Sequence, residues 1–196
     1  MENYSSGFTS ERLFKTEMKM MLSLRLEGTS EDNIRKKIIE ENLFQKRSMG
    51  AIQSTLAMVT RRLKVIDGTL ANFFLHSSRF DEQAILLYSF LQTYQFPLDF
   101  VIQVVRYAYE FERKVVTNES IQAFFERKEE ESEIVYAWSE QTKKKLRQIM
   151  LLFFTECGLL MQEDKWYVAT PIPISKELKE YTVEKAPLLL LVTLNK

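Results

Sequence analysis

One histidine, one cysteine and five glycines are present in 196 residues, so several kinds of chemistry have almost nothing to draw on. His76 stands alone, which deprives a histidine-activated nucleophile or a His/Cys zinc site of its other members; near a helix end it reads as structural. Cys157 has no internal partner for a disulfide, and no charged, apolar, small-residue leader opens the chain, so a reducing cytoplasm is the expected compartment. Glycines at 7, 28, 50, 68 and 158 are too scattered to cradle a phosphate. With only four prolines besides, there is little turn material for an all-β fold, and helix is favoured. Long apolar runs are missing too. "IMLLFFTECGLLM" (149–161) is broken by Thr155, Glu156 and Gly158, and "APLLLLVTL" (186–194) is far short of the roughly 20 residues that cross a bilayer. Both read as buried helix or strand, and no membrane partner is expected.

What is present is an ordinary globular mixture, 45% apolar and 28% charged, with zero net charge. That zero conceals a division. Residues 1–75 hold 12 Lys/Arg against 9 Asp/Glu, residues 76–140 hold 6 against 12, and residues 141–196 hold 9 against 6. Two mildly basic ends flank an acidic middle, and a polyanion meets the local patch rather than the distant sum, because charges are screened over about 8 Å at physiological salt. The same boundaries give three expected regions: an N-terminal helical one (1–75), a central helical scaffold (76–140) and a C-terminal one (141–196).

Apolar residues recur at helical spacing along most of the chain. The pattern predicts helices over 10–28, capped by Ser10 and ended by Gly28; over 30–41, with Thr29 or Ser30 as cap; and from Ser48 to about Ile66. Others are expected over 69–76, from Asp81 to about Tyr94, from Pro97 to about Lys114, and over 118–133 from an Asn118 cap. Ser139 opens a longer one that Gly158 stops. Past it the period changes, and "LLMQEDKWYVATPIPI" (159–174) suits a short hairpin before a last helix from Ser175 to about Glu184. The expected fold is a mainly α, multi-helical globule with an N-terminal helix-turn-helix and a C-terminal winged-helix-like element carrying that hairpin.

The first candidate site is the pair of helices joined by "EENLFQKRS" (40–48). Leu43 and Phe44 can pin two helices at a steep angle, so that the second offers its outer face to a major groove about 12 Å wide. If Ile52, Leu56, Val59 and Leu63 face inward, Gln53, Ala57, Arg61 and Lys64 point outward with Ser54 alongside, and Arg62 adds a further cation. Lys46, Arg47 and the helix start at Ser48 suit phosphates. The turn is longer than the usual three or four residues, and the same spacing describes a helical hairpin with a solvated basic face.

The second candidate is "WSEQTKKKLRQI" (138–149) with the hairpin behind it. Leu146, Ile149, Met150 and Phe153 mark a buried face, leaving Lys144, Arg147 and Gln148 outward, Lys143 and Lys145 on the flanks, and Lys165 on the wing. Simple solvation of these lysines is the plain alternative. Asp99, Glu112 and Lys114 imitate the spacing of metal-dependent nucleases, but one straight helix would hold Asp99 and Glu112 about 20 Å apart, too far to share an ion. No catalytic, cofactor or metal site is therefore expected.

In order and spacing, "ENLFQ" (41–45) and Ser48 ahead of a helix ending in "RRL" (61–63), then "DFV" (99–101), "FF" (124–125), "WSEQTKKKL" (138–146) and "ECGLL" (156–160) before "PIPIS" (171–175), resemble the BrxA family of bacteriophage exclusion (BREX) defence systems. The resemblance spans about residues 9–182 and leaves the apolar C-terminus unaligned. With no catalytic site in the sequence an enzyme is not expected, and the resemblance implies an all-helical cytoplasmic protein. Such a protein binds double-stranded DNA through helix-turn-helix elements and works beside a methyltransferase, an ATPase and a phosphatase-like protein of the same system. A monomer is expected. A protein-interaction adaptor whose acidic centre docks a basic partner, and a helical RNA-binding protein, stay open as alternatives.

Overall fold

The computed structural model describes residues 4–111 and 113–195; Glu112, part of the nuclease-like spacing, lies outside them. The chain is mainly α-helical with one small antiparallel sheet, in agreement with the sequence. It clusters into two compact units: residues 14–77, and the residues up to Leu13 together with those from Ser78 onward. The central and C-terminal regions separated by charge thus share a unit.

The 14–77 unit contains α1 (Lys15–Leu26), α2 (Glu31–Glu40), α3 (Met49–Leu63) and α4 (Gly68–His76). Helix α1 starts four residues later than a Ser10 cap predicts, because Phe14 takes a left-handed conformation (φ 51°) at the helix entry and residues 7–10 form a turn. Gly28 ends that turn of chain with φ 84°, a conformation that needs no Cβ. Ser30, Ser48 and Asp67 then cap α2, α3 and α4 through side-chain oxygens that accept from the backbone N–H of Asn33, Ala51 and Leu70. Met18, Leu22, Ile34, Ile38, Leu56 and Val59 are buried in this unit's core.

In the other unit α5 (Arg79–Thr93) is buried on nearly every side, with Asp81, Glu82 and Ser89 enclosed beside its apolar residues. Phe90 on it stacks on Phe153 with ring centroids 4.2 Å apart. The expected helix from Pro97 is α6 (Gln95–Phe100), a π-helical stretch (Val101–Arg106) and α7 (Tyr107–Phe111) in succession. After it come strand β1 (Val115–Thr117), α8 (Asn118–Glu131), α9 (Glu133–Tyr136), α10 (Glu140–Glu156), β2 (Leu160–Gln162), β3 (Trp166–Ala169), α11 (Lys176–Lys185) and α12 (Pro187–Val192). The hairpin is present, and β1 joins it on the far side of β3, with Val116 opposite Tyr167 and Met161 opposite Val168.

Two chain ends close this unit. Near the N-terminus, Tyr4 packs edge-on against Phe96, and Glu11 accepts a hydrogen bond from the Tyr94 hydroxyl at 2.7 Å. At the other end the apolar run forms α12, with Leu189 and Val192 buried, and Asn195 donates to the Ile172 carbonyl at 2.8 Å. No helix among the described residues is long and apolar enough to cross a membrane.

Candidate nucleic-acid interface

From Asn42 to Ile66 the chain has no Asp or Glu, yet carries Lys46, Arg47, Arg61, Arg62 and Lys64. Asn42 organises the turn that begins this stretch. In left-handed conformation (φ 47°) it donates from its side chain to the Lys46 carbonyl and accepts from the Lys46 N–H, both at 2.9 Å. Asparagine tolerates that conformation better than most residues. Phe44 is buried, while Leu43 is only half-buried. At the helix start, Ser48 Oγ accepts from Ala51 N at 3.2 Å, and the first turn of α3 is exposed at Met49 and Gly50.

The outward face of α3 contains Gln53, Ser54, Arg61 and Lys64, all exposed, with Arg47 exposed on the turn. Two residues depart from the sequence reading. Arg62 is fully buried (0%), because it lies on the Thr55, Val59, Ile66 side of the helix, and a side chain enclosed there cannot reach a phosphate. Lys46 is half-buried with its ammonium 2.7 Å from Glu17, so its charge is already matched.

The same chemistry recurs on α10, which has no carboxylate between Glu140 and Glu156. Lys144, Lys145 and Gln148 are exposed, and Arg147 is half-buried. Lys143 is not free. It is 9% exposed, with its ammonium 2.8 Å from Glu129 and 2.9 Å from Glu140. The hydrogen bond to Glu129 raises its pKa despite the opposing cost of burial, and Glu140 adds to the rise. It is a packing residue here rather than a phosphate contact.

Asn118 was expected to cap α8, but the cap is Thr117, whose oxygen accepts from Ser120 N at 3.2 Å. Asn118 instead accepts from Arg147 Nη2 at 2.8 Å and donates to the Lys165 carbonyl at 3.4 Å. It ties α10 to the exposed tip of the hairpin, and so brings Lys165 and Arg147 to one amide. Between helix and hairpin runs a groove of about 650 Å³, lined by Lys144, Arg147, Gln148, Leu151, Leu152 and Thr155 on α10 and by Gln162 and Tyr167 on the strands.

Asp99 has other work. Its carboxylate accepts from Tyr4 Oη at 2.5 Å and from Gln95 at 2.6 Å, with the Lys128 ammonium 3.3 Å away. Lys114 lies over the Tyr109 ring. Among the described residues there is no cluster of three or more His, Cys, Asp or Glu side chains able to hold a metal ion.

Residues 2–185 match the family model of BrxA. A BREX protein BrxA from Bacillus cereus (strain H3081.97) is 30% identical over 160 residues, covering 82% of this chain and 80% of that one. The crystal structure of an uncharacterized protein from Magnetospirillum magneticum shares the fold, with a TM-score of 0.80 at 21% identity over 99% of both chains. A family match over nearly the whole length, with a relative at that identity, places this chain in the BrxA family.

Proposed function

We propose that this BrxA-family chain serves the BREX phage-defence system as a non-catalytic protein that binds double-stranded DNA, through α3 as the second helix of a helix-turn-helix and through α10 with the hairpin as a winged helix. The observation that carries the reading is the absence of any carboxylate from 42–66 and from α10 between its ends, where exposed cations and amides are gathered on one helix face. Surface helices of soluble proteins usually interleave the two signs, so acid-free faces of this length suit a polyanion. On α3, Gln53, Ser54, Arg61 and Lys64 are spaced to meet base edges and backbone. Arg47 and the Ser48 helix start add phosphate contacts. On the winged helix the contacts are Lys144, Lys145, Arg147, Gln148 and Lys165. Other BREX components are the expected protein partners, and the cytoplasm the compartment.

Competition against a labelled duplex tests the polymer. Unlabelled duplex DNA should displace it at far lower concentration than duplex RNA or single strands. Equal displacement by duplex RNA would favour the RNA-binding reading instead.

A further inference from the structure

The groove between α10 and the hairpin has a second character that duplex DNA does not use. Its helix side runs from Lys144 through Arg147 and Gln148 to Leu151 and Leu152, so one face grades from cationic to apolar. Leu152 is 54% exposed, and Tyr167 on β3 forms the facing wall. Among the described residues, no carboxylate lines the groove. Phosphate oxygens gain from the cationic end, but nothing on a DNA backbone rewards covering Leu152. An apolar patch of this kind next to a charged rim marks a protein-docking surface.

We propose that this groove docks a short amphipathic acidic helix from a protein component of the same defence system. The lining from Lys144 to Thr155 spans twelve residues, eleven steps of about 1.5 Å or about 16 Å, which is the length of three turns of a partner helix. Charge and polarity together set its chemistry. Carboxylates at one end face Lys144 and Arg147, and apolar side chains at helical spacing from the other end cover the exposed Leu152 and the half-buried Tyr167. The inference goes beyond duplex binding and does not rest on it. Because Lys144 and Arg147 belong to both surfaces, the docked helix and DNA compete for them.

The test places a photoreactive p-benzoylphenylalanine at Gln162, exposed on the groove wall, in the full chain co-expressed with the other components of its system and treated with nuclease. Cross-links should map to a segment of about eleven residues with acidic residues at one end and apolar residues at helical spacing. A synthetic peptide of that segment should bind the purified chain and be displaced by duplex DNA. Leu152→Glu should abolish both cross-link and peptide binding, and Leu152→Ala should weaken the peptide about tenfold, while both variants keep wild-type helicity and Leu152→Ala keeps duplex affinity within twofold. Cross-links only to nucleic acid, to a second copy of the chain or to a basic segment would overturn the proposal. So would no cross-link, or one that survives Leu152→Glu. Loss of duplex binding in a gel shift would instead count against the DNA reading alone.

Discussion

Asn118 Oδ1 accepts a hydrogen bond from Arg147 Nη2 at 2.8 Å, while the same side chain reaches the carbonyl of Lys165. One exposed amide thereby holds the cationic helix and the hairpin tip in register. Asn118→Ala removes both bonds at a site open to solvent, worth about 0.7 kcal/mol in positioning, so duplex affinity should fall about threefold with little change in melting temperature. Parallel binding and melting curves check this. Unchanged affinity would mean that the tip takes no part.

The four cations of "KKKLR" should separate into two kinds. Lys143→Ala leaves the half-buried Glu129 without its ammonium and should cost about 1–2 kcal/mol of stability while leaving the salt dependence of duplex binding intact. The double variant Lys144→Ala, Lys145→Ala should do the reverse: melting unchanged, and the slope of log K against log salt reduced by about 2. Calorimetry and fluorescence anisotropy measure the two quantities.

A similar contrast holds between adjacent arginines on α3. Arg62→Ala opens a cavity in the core of the 14–77 unit and removes a buried polar group's partners, so it should destabilise that unit by about 3 kcal/mol. Arg61→Ala, at an exposed position, should change melting far less than Arg62→Ala and lower duplex affinity severalfold. Thermal unfolding of both variants, set beside their anisotropy titrations, distinguishes them.

Tyr4 gives the alkaline limb of stability. Burial, then its hydrogen bond to Asp99, push its pKa from 10.0 up to about 12, partly offset by Lys128. Lys128 moves upward as well, since Tyr4, Glu131 and Asp99 outweigh the burial that opposes its charge. A folded pKa above the unfolded one means that Tyr4 contributes fully below pH 10 and loses its contribution as pH rises toward 12. Tyr4→Phe should therefore lower stability by about 1 kcal/mol at neutral pH and flatten the fall between pH 10 and 12. Denaturant midpoints of both proteins across that range provide the check.

Much of this was legible because helix signals are local. Ser48 and Ser139 read as caps and are caps. The hairpin was announced by the change of period after Gly158. Strand β1 was not, since "VVT" is too short to show alternation and its partner β3 lies about fifty residues on. Phe14 hid the true start of α1, because an apolar residue at helical spacing gives no sign of a left-handed backbone.

Two of the misplaced cations share one cause. Arg62 follows Val59 by three residues and precedes Ile66 by four, and Lys143 precedes Leu146 by three and Met150 by seven. Both lie on the edge of a buried face drawn too narrowly, and the stripe of a packed helix is wider than a single row. That signal was in the sequence. The roles of Asn42 and Asn118 were not, because each depends on a side-chain geometry that only the folded turn or the neighbouring hairpin supplies.

The most direct measurement of the central claim is a fluorescence-anisotropy titration of a labelled duplex with the purified chain at several salt concentrations, alongside the variant Arg61→Ala, Lys64→Ala, Lys144→Ala, Lys145→Ala. The account predicts duplex binding whose log K falls linearly with log salt at about −0.9 per phosphate neutralised, with a slope shallower by up to about 4 in the variant at unchanged helicity. No binding at low salt, or the same slope in both proteins, would contradict it.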